Sequence, residues 1–382
     1  MKVDEQKVSS PVPEEGMGSG PTAGDDDTGS AAGDSKAGAA GDSKAGAEGD
    51  SKAGAEGEPT RLYSGIQPTG DIHIGNYLGA VANWAKLIPR YDCVYCVVDY
   101  HAITIEYDPD TMREAVLDTA TMGIACGLDP ARCTLFVQSH VTETLELAWI
   151  FSTCTAIGAL ERMTQFKDKA AQHKQNINAG LFTYPVLQAA DILGVKADGV
   201  PVGDDQSQHL ELTREIARRF NHLYGPVFPE AKTLYSPAPR IMGLDGQSKM
   251  SKSQENYIAM KDRSDTVRKK LSTAYTDPNR LRRSDPGNPD ICNIFTLHKS
   301  FSSPDEVAAI DSECRSAGIG CVDCKKKLGD NMETAMAPIQ DKYEDLTRRP
   351  DDVRDALAAG ADRVRTLTSE TMTEVRQSLG LR

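Results

Sequence analysis

Two short segments carry side chains suited to binding a polyphosphate. The first, YSGIQPTGDIHIGNYLG at 63–79, contains His73 and Asn76, which can both donate hydrogen bonds to phosphate oxygens. A helix beginning here would add free backbone N–H groups and the positive end of its dipole. Gly75 would let a bulky ligand approach the backbone closely. The same residues also suit an ordinary capped turn, so this segment alone leaves both interpretations open.

The second segment is KMSKS at 249–253. Its two lysines, Lys249 and Lys252, are three residues apart. In a mobile loop such a pair can close over a polyphosphate and balance the charge that develops on a leaving pyrophosphate. A lone pair of lysines at this spacing is usually a solvated surface, but the full pentapeptide is much more specific.

The elements that must position these segments alternate between strand and helix. Short apolar runs predict strands at 62–66, 93–100 and 133–139, and helical spacing occupies 76–89 and 109–126. This alternation predicts βαβ units and a parallel sheet, which is an α/β fold. Ligands of such sheets bind outside the carboxyl ends of the strands. The residues expected there lie at 65–76, 99–101 and 139–140.

Beyond Tyr257 the strand signals thin out and helical spacing dominates. Apolar residues recur at that spacing over 353–379, with an interruption expected near Gly360. We therefore expect an α/β domain over 60–260 and a helical domain over 261–382.

The first 59 residues differ from the rest. They contain no Phe, Tyr, Trp, Leu, Ile or Cys, and they repeat the octapeptide AAGDSKAG. Such a segment has almost nothing to bury, so folding could not offset the loss of backbone entropy. We expect a disordered acidic tail over 1–59. Because a mitochondrial presequence is rich in Arg and poor in acids, this tail favours a cytoplasmic location.

The whole chain of 382 residues has 43 Lys plus Arg against 56 Asp plus Glu, a net charge of −13. This balance argues against a protein that coats nucleic acid through bulk positive charge, although a local basic patch can still dock one. No apolar run approaches the roughly 18 residues of a membrane span, and no secretory signal is present. We expect no membrane partner.

The nine cysteines form two groups. Cys93, Cys96, Cys126, Cys133 and Cys154 lie in apolar strand or helix patterns and are expected to pack in the core. The second group is Cys292, Cys314, Cys321 and Cys324, which end in a CxxC pair. Four such thiols could ligate Zn²⁺ or a [4Fe–4S] cluster, or stay free. Basic residues at 280–283 and 325–327 flank them and could form a local positive surface or a plain solvated face.

The HIGN and KMSKS segments resemble the two signatures of class I aminoacyl-tRNA synthetases. Three segments between them resemble bacterial-type tryptophanyl-tRNA synthetases: LERMTQFK at 160–167, TYPVLQAADIL at 183–193 and VPVGDDQ at 200–206. The resemblance runs from about residue 61 to the carboxyl terminus. The four-cysteine arrangement resembles a subset of these enzymes with an iron–sulfur cluster near the anticodon-reading region, which favours the cluster over zinc.

This resemblance implies a Rossmann-like nucleotide-binding catalytic domain with a connective insertion over 60–260. It also implies a C-terminal helical anticodon-binding domain over 261–382 that contains the four-cysteine site. It implies that the carboxylate of L-tryptophan attacks the α-phosphate of ATP, with Mg²⁺ on the polyphosphate, and that the tryptophanyl group passes to the 3′ end of tRNA(Trp). A homodimer is also implied. The resemblance assigns catalytic roles to His73, Asn76, Lys249 and Lys252. ATP contacts fall on Gln67, Pro68, Thr69, Gly75, Asn76, Gly203, Asp204, Asp205, Ile241, Lys249, Met250, Ser251, Lys252 and Ser253. Amino-acid contacts fall on Tyr63, Gly65, Gln67, Gln188, Asp191 and Gln206.

In this scheme the Asp191 carboxylate accepts the indole N–H, the one polar group of that ring. Without the resemblance, Asp191 would be taken as an acid on a helix surface. Gln188, one turn earlier, departs from many bacterial members, which have Met there. His101 suits either a place in the cleft or a capping role.

Three alternatives remain open at this point. A tyrosyl-tRNA synthetase shares both signatures, although the segment around Asp191 matches the tryptophanyl pattern better. A nucleotidyltransferase with a similar first loop would lack the KMSKS pentapeptide and the helical extension. A non-catalytic relative that binds tRNA would form no adenylate.

Overall fold

A computed structural model describes residues 61–167, 177–203, 206–235, 241–252 and 254–381. The tail predicted for 1–59 lies outside these residues. The strands of the described sheet are β1 (Arg61–Ile66), β2 (Asp92–Val97), β3 (Thr134–Val137), β4 (Gly199–Val202) and β5 (Lys232–Tyr235). All pairs are parallel and the order is β3-β2-β1-β4-β5, so the predicted α/β class is confirmed.

Both faces of the sheet are covered, as is usual for parallel strands. Along β2, Cys93 and Tyr95 belong to one hydrophobic cluster, while Val94 and Cys96 belong to another on the opposite face. Cys93 and Cys96 therefore point away from each other, as the strand period requires. All five cysteines predicted to be core residues are buried.

Helices follow the strands and cover the sheet. In the first part of the chain they are α1 (Ile74–Asn76), a π turn (Tyr77–Val81), α2 (Ala82–Leu87), α3 (Asp99–Ala102), α4 (Pro109–Ala125), α5 (Glu143–Cys154), α6 (Ile157–Glu161), α7 (Ala179–Gly194) and α8 (Ser207–Tyr224). The strand predicted to run through residue 100 ends at Val97. Asp99 ends it because its carboxylate accepts the N–H groups of Tyr100 and Ser139, each at 3.0 Å.

The described part beyond residue 257 is helical, as predicted. Its helices are α9 (Ser264–Thr273), α10 (Asn293–Phe301), α11 (Pro304–Arg315), α12 (Cys321–Thr347) and α13 (Pro350–Ser378). The interruption predicted near Gly360 was wrong, because α13 continues through it. A Cβ at Gly360 would lie 2.0 Å from the carbonyl oxygen of Leu135, so this glycine lets α13 approach the backbone of β3.

The last helix thereby shares the core of the sheet. Ala361 and Val364 of α13 are buried in the same cluster as Val94. Arg363 donates to the carboxylate of Asp92 at 2.7 Å, at the amino end of β2. The domain boundary placed near residue 260 stays a prediction. Within the described ranges, no helix combines the length and apolarity needed to cross a membrane.

Candidate active site

A cavity of about 630 Å³ opens at the carboxyl ends of β1 and β4. The strand order reverses between these two strands, which is where open α/β sheets bind their ligands. The cavity is lined by all six residues predicted to contact the amino acid, namely Tyr63, Gly65, Gln67, Gln188, Asp191 and Gln206. His101 lines it as well, so the cleft position of this histidine is confirmed.

Asp191 lies on α7 with only 3% of its surface exposed, so it is not a helix-surface acid. Its Oδ2 accepts a hydrogen bond from Gln138 Nε2 at 2.7 Å and lies 3.0 Å from His101 Nε2. In the described part of the chain Oδ2 makes both contacts, which leaves Oδ1 for a donor in the cavity. A buried carboxylate of this kind selects a ligand with an N–H or O–H group at that point.

Two further groups shape this end of the cavity. Tyr63 is buried, and its hydroxyl has no hydrogen-bond partner among the described residues. Its burial, together with the nearby Asp191, raises the pKa of Tyr63 well above its usual range, so the hydroxyl stays neutral. Gln188 is half-buried beside them. Apolar walls with a few polar groups suit a flat aromatic ligand with one polar handle.

His73 and Asn76 form a reciprocal cap at the start of α1. His73 Nδ1 accepts the N–H of Asn76 at 3.2 Å, and Asn76 Oδ1 accepts the N–H of His73 at 3.3 Å. Burial and the charges of Lys252 and Lys249 lower the pKa of His73 to about 4. The ring is therefore neutral near pH 7. Because Nδ1 accepts, the proton lies on Nε2, which can donate to a ligand.

The second segment, at 249–253, contacts the first segment, at 63–79, directly. Lys252 Nζ donates to the carbonyl oxygen of Thr69 at 3.1 Å, and the side chain passes over Gly70. Gly70 has φ +97°, a conformation that favours glycine. Burial lowers the pKa of Lys252 to about 8, while Asp71 and Asp118 oppose this shift.

Backbone and buried side chains fix the second motif in place. Met250 and Ile241 are buried and their backbones pair, with the Met250 N–H donating to the Ile241 carbonyl at 3.1 Å. Asn256 accepts the Ser251 N–H at 2.8 Å and donates to Asp245 at 3.0 Å. Sequence reasoning missed this buried Asn256, for which the sequence gives no signal.

Gln138, the partner of Asp191, was also missed, although it directly precedes the predicted strand-end residues 139–140.

Of the predicted ATP contacts, Gly203 follows β4 and lines the cavity. Gly75 lies against Met250, and the turn at 67–69 lies beside Lys252, so the two motifs are in contact. Asp204, Asp205 and Ser253 lie outside the described residues.

The four C-terminal cysteines are half-buried. Arg280 Nη1 lies 3.7 Å from Cys314 Sγ and 3.9 Å from Cys321 Sγ. Burial and the three other thiols raise the pKa of Cys324 to about 12. The donor chemistry suits a soft metal. In the described ranges, however, no group of three or more His, Cys, Asp or Glu side chains is arranged to hold a metal ion.

Comparisons with known proteins agree with this geometry. Residues 55–337 match the profile of the family described as tRNA synthetases class I (W and Y). A tryptophan–tRNA ligase of Deinococcus radiodurans is 52% identical over 326 residues, which cover 84% of this chain and 98% of the relative. A tryptophan–tRNA ligase of Thermotoga maritima is 44% identical, with 84% and 99% covered.

A solved structure is also similar. The tryptophanyl-tRNA synthetase of Campylobacter jejuni, in complex with ADP and tryptophan, superposes with a TM-score of 0.77 at 33% identity. The match covers 84% of this chain and 100% of that one. The chain therefore belongs to the class I tRNA synthetases, in their bacterial-type tryptophanyl group.

Proposed function

We propose that this protein is a tryptophan–tRNA ligase, which joins L-tryptophan to ATP as tryptophanyl-adenylate and then to the 3′ end of tRNA(Trp). The observation that carries the choice of amino acid is Asp191, a buried carboxylate with one oxygen left for a donor at the end of an apolar cavity. The indole N–H is such a donor, and an aromatic ring without an N–H or O–H group would leave the acceptor unpaired.

In the activation step the tryptophan carboxylate attacks the α-phosphate of ATP in line and pyrophosphate leaves. We assign phosphate binding to His73 Nε2 and Asn76, since the neutral imidazole presents its N–H. We assign charge stabilisation on the leaving pyrophosphate to Lys249 and Lys252. In this assignment Lys252 exchanges its contact with the Thr69 carbonyl for the phosphates.

Mg²⁺ would enter with ATP and neutralise the polyphosphate. We propose that the ion is held mainly by the phosphates of ATP. The other predicted ATP and amino-acid contacts stay proposals, including Asp204, Asp205 and Ser253.

We propose a [4Fe–4S] cluster on Cys292, Cys314, Cys321 and Cys324, with zinc as the alternative. The support is the donor chemistry of four half-buried thiols from three segments: Cys292 before α10, Cys314 in α11, and Cys321 and Cys324 in the first turn of α12. Arg280 Nη1 lies 3.7 Å from Cys314 Sγ and 3.9 Å from Cys321 Sγ. No step of the reaction runs through this group. Its place is the helical domain, where we expect tRNA binding.

Binding of tRNA(Trp) is proposed on the basic residues that flank the cysteines. Arg280 donates to the carbonyl of Ile319 at 2.7 Å, and Lys325 donates to that of Ala274 at 2.8 Å, so both have internal partners. Arg282, Arg283, Lys326 and Lys327 are exposed and are the better candidates for phosphate contacts.

We also propose a homodimer. Trp149 of α5 is 71% exposed and Ile157 of α6 is 67% exposed, with Leu145 nearby on the same helix as Trp149 at 40%. Large apolar side chains exposed together favour a protein interface. Sedimentation equilibrium of the purified chain tests this: a single 41 kDa species would contradict it. A cytoplasmic location stays a prediction.

The assignment is tested by ATP–pyrophosphate exchange with tryptophan and with tyrosine, followed by charging of tRNA(Trp). We expect exchange and charging with tryptophan and not with tyrosine. Phenylalanine, whose ring has no donor for Asp191, should be disfavoured by at least about 10⁴-fold, because a site built for one hydrogen-bonding group rejects an analogue without it at that level. Exchange with tyrosine alone would identify a tyrosyl enzyme. No exchange with either would identify a non-catalytic relative.

A further inference from the structure

A charged cluster outside the cavity joins the turn after β1 to the C-terminal helices. Lys261 Nζ lies 2.6 Å from Asp71 Oδ1 and 3.7 Å from Asp118 Oδ2. Asp71 belongs to the turn between β1 and α1, and Asp118 belongs to α4. Tyr343 of α12 donates its hydroxyl to the other oxygen of Asp118. The four side chains come from four separate segments, and none of them has a role in the reaction as described above.

The backbone beside Lys261 is fixed at the same place. The Met260 N–H donates to the carbonyl oxygen of Ile72 at 2.8 Å. The side-chain amide of Gln340, also on α12, donates to the carbonyl oxygen of Met260 at 3.0 Å. The backbone next to Lys261 is therefore held by two hydrogen bonds, and from this position its ammonium reaches Asp71.

The turn that contains Asp71 is the one that Lys252 contacts. Thr69, two residues before Asp71, accepts the hydrogen bond from Lys252 Nζ at 3.1 Å, and Gly70 lies under the same side chain. Any shift of Asp71 moves the Thr69 carbonyl and, with it, the surface that ATP would meet beside Lys252.

Charge gives Lys261 a second effect on the same site. Asp71 and Asp118 place two carboxylates near the phosphate-binding lysine, and each is 28% exposed. Without a cation between them, both would repel the polyphosphate of ATP. The ammonium of Lys261 neutralises one of these charges and separates the two.

We propose that Lys261 is a positioning residue for ATP: it holds the turn at 67–71 in place through Asp71 and screens the acidic pair from the polyphosphate. The inference rests on the proposed function, since it assigns this turn to ATP. Asp118 and Tyr343 anchor Lys261 from the far side, so the turn is tied to α12 through side chains.

The test compares three variants by the Kd for ATP, measured by isothermal titration, and by the KM values in pyrophosphate exchange. Lys261→Met should raise the Kd and the KM for ATP about threefold to fivefold, the range of a part-exposed ion pair. The KM for tryptophan should stay the same. Lys261→Arg keeps the charge and should restore most of the affinity.

Lys196→Met is the matched control. Lys196 Nζ lies 2.7 Å from Glu374 Oε1 at a similar exposure, and it is not among the residues that line the cavity. This variant loses an equivalent ion pair and should keep the ATP affinity of the original protein. A similar loss in both variants would mean general loosening of the fold and would overturn the proposal.

A double-mutant cycle in the Kd for ATP separates positioning from a merely structural role. If Lys261 acts through the turn that Lys252 contacts, Lys261→Met should weaken ATP binding less in a Lys252→Ala background than alone. Equal effects in both backgrounds, or an unchanged Kd in Lys261→Met, would contradict the proposal. Absence of exchange with tryptophan in the original protein would refute the proposed function instead, while the ATP titrations would still decide this inference.

Discussion

The carboxylate of Asp191 has both of its described hydrogen-bond partners, Gln138 and His101, at one oxygen. The two partners hold the carboxylate at the cavity and leave its other oxygen for a donor of the ligand. Asp191→Asn removes the charge and disturbs this arrangement, so we expect the KM for tryptophan to rise at least about tenfold, because hydrogen bonds to charged groups contribute roughly 1.5–3 kcal/mol. The KM for ATP should not change.

Asp129→Asn provides the control for this prediction in exchange assays. Asp129 accepts the N–H of Ala131 at 3.0 Å in the turn before β3 and does not line the cavity. An unchanged KM for tryptophan in Asp191→Asn, or an equal rise in the two variants, would refute the assigned role of Asp191.

Lys252 gives the activation step a defined pH dependence. Burial lowers its pKa from 10.5 to about 8, so the ammonium is present below pH 8 and is lost as the pH rises through that value. We expect kcat/KM for ATP, which reports the free enzyme, to fall about tenfold per pH unit above pH 8. Lys252→Arg stays charged at these pH values, so its profile should be flat. The same fall in both proteins would assign the titration to another group.

Removal of the Lys252 side chain should lower the rate of the activation step, and not only the affinity for ATP. We expect Lys252→Ala to lower the activation rate by about two orders of magnitude or more, because the ammonium acts on charge that develops in the transition state. The circular dichroism spectrum and the melting temperature should change little, since the side chain's described partner is one carbonyl oxygen. Unchanged exchange activity would exclude the proposed role.

Among the elements, α13 shows how a glycine can serve packing instead of ending a helix. Gly360→Ala would place its methyl group 2.0 Å from the Leu135 carbonyl oxygen, which belongs to a buried strand and cannot rotate away. Alanine gains about 1 kcal/mol in helix propensity. Overpacking a core costs about 1–3 kcal/mol, and a backbone clash lies at the upper end. We expect a net loss of about 2 kcal/mol in the free energy of unfolding.

Gly329→Ala in α12 is the matched control in urea unfolding. Its Cβ would lie 3.3 Å from the Arg268 side chain, which can move because it is exposed at its end. This variant should be as stable as the original protein or slightly more so. Equal stability of Gly360→Ala and Gly329→Ala would mean that α13 can shift away from β3.

The same elements show what the sequence can predict. Apolar runs located β1 and β2, because strands buried on both faces have no polar interruptions. The ends of β2 and the continuity of α13 were not predictable, because they depend on Asp99 and Gly360 meeting residues far along the chain. The motifs located both phosphate-binding segments, whereas their contact through Thr69 depends on the tertiary fold.

At the scale of the whole molecule, α12 joins the cysteine group to the ATP turn. It begins at Cys321 and its Gln340 holds the Met260 carbonyl beside the first motif. Its 27 residues span about 40 Å at 1.5 Å per residue. None of the four cysteines is among the described residues that line the amino-acid cavity, so a change at the cysteines need not reach that cavity.

The position of the cysteines outside the amino-acid cavity makes the metal prediction specific. Protein purified without oxygen should contain about four irons and four acid-labile sulfides per chain, and Cys321→Ser should lose them. Because tRNA is expected to bind near the cysteines, the KM for tRNA(Trp) should rise in Cys321→Ser while exchange with tryptophan is retained. Cys133→Ala, which removes a buried core thiol, should keep its iron. One zinc per chain would identify a structural metal site instead. Absence of both metals would mean that Cys321 is an ordinary packed thiol. It would leave the activation chemistry intact, because Cys321 does not line the cavity.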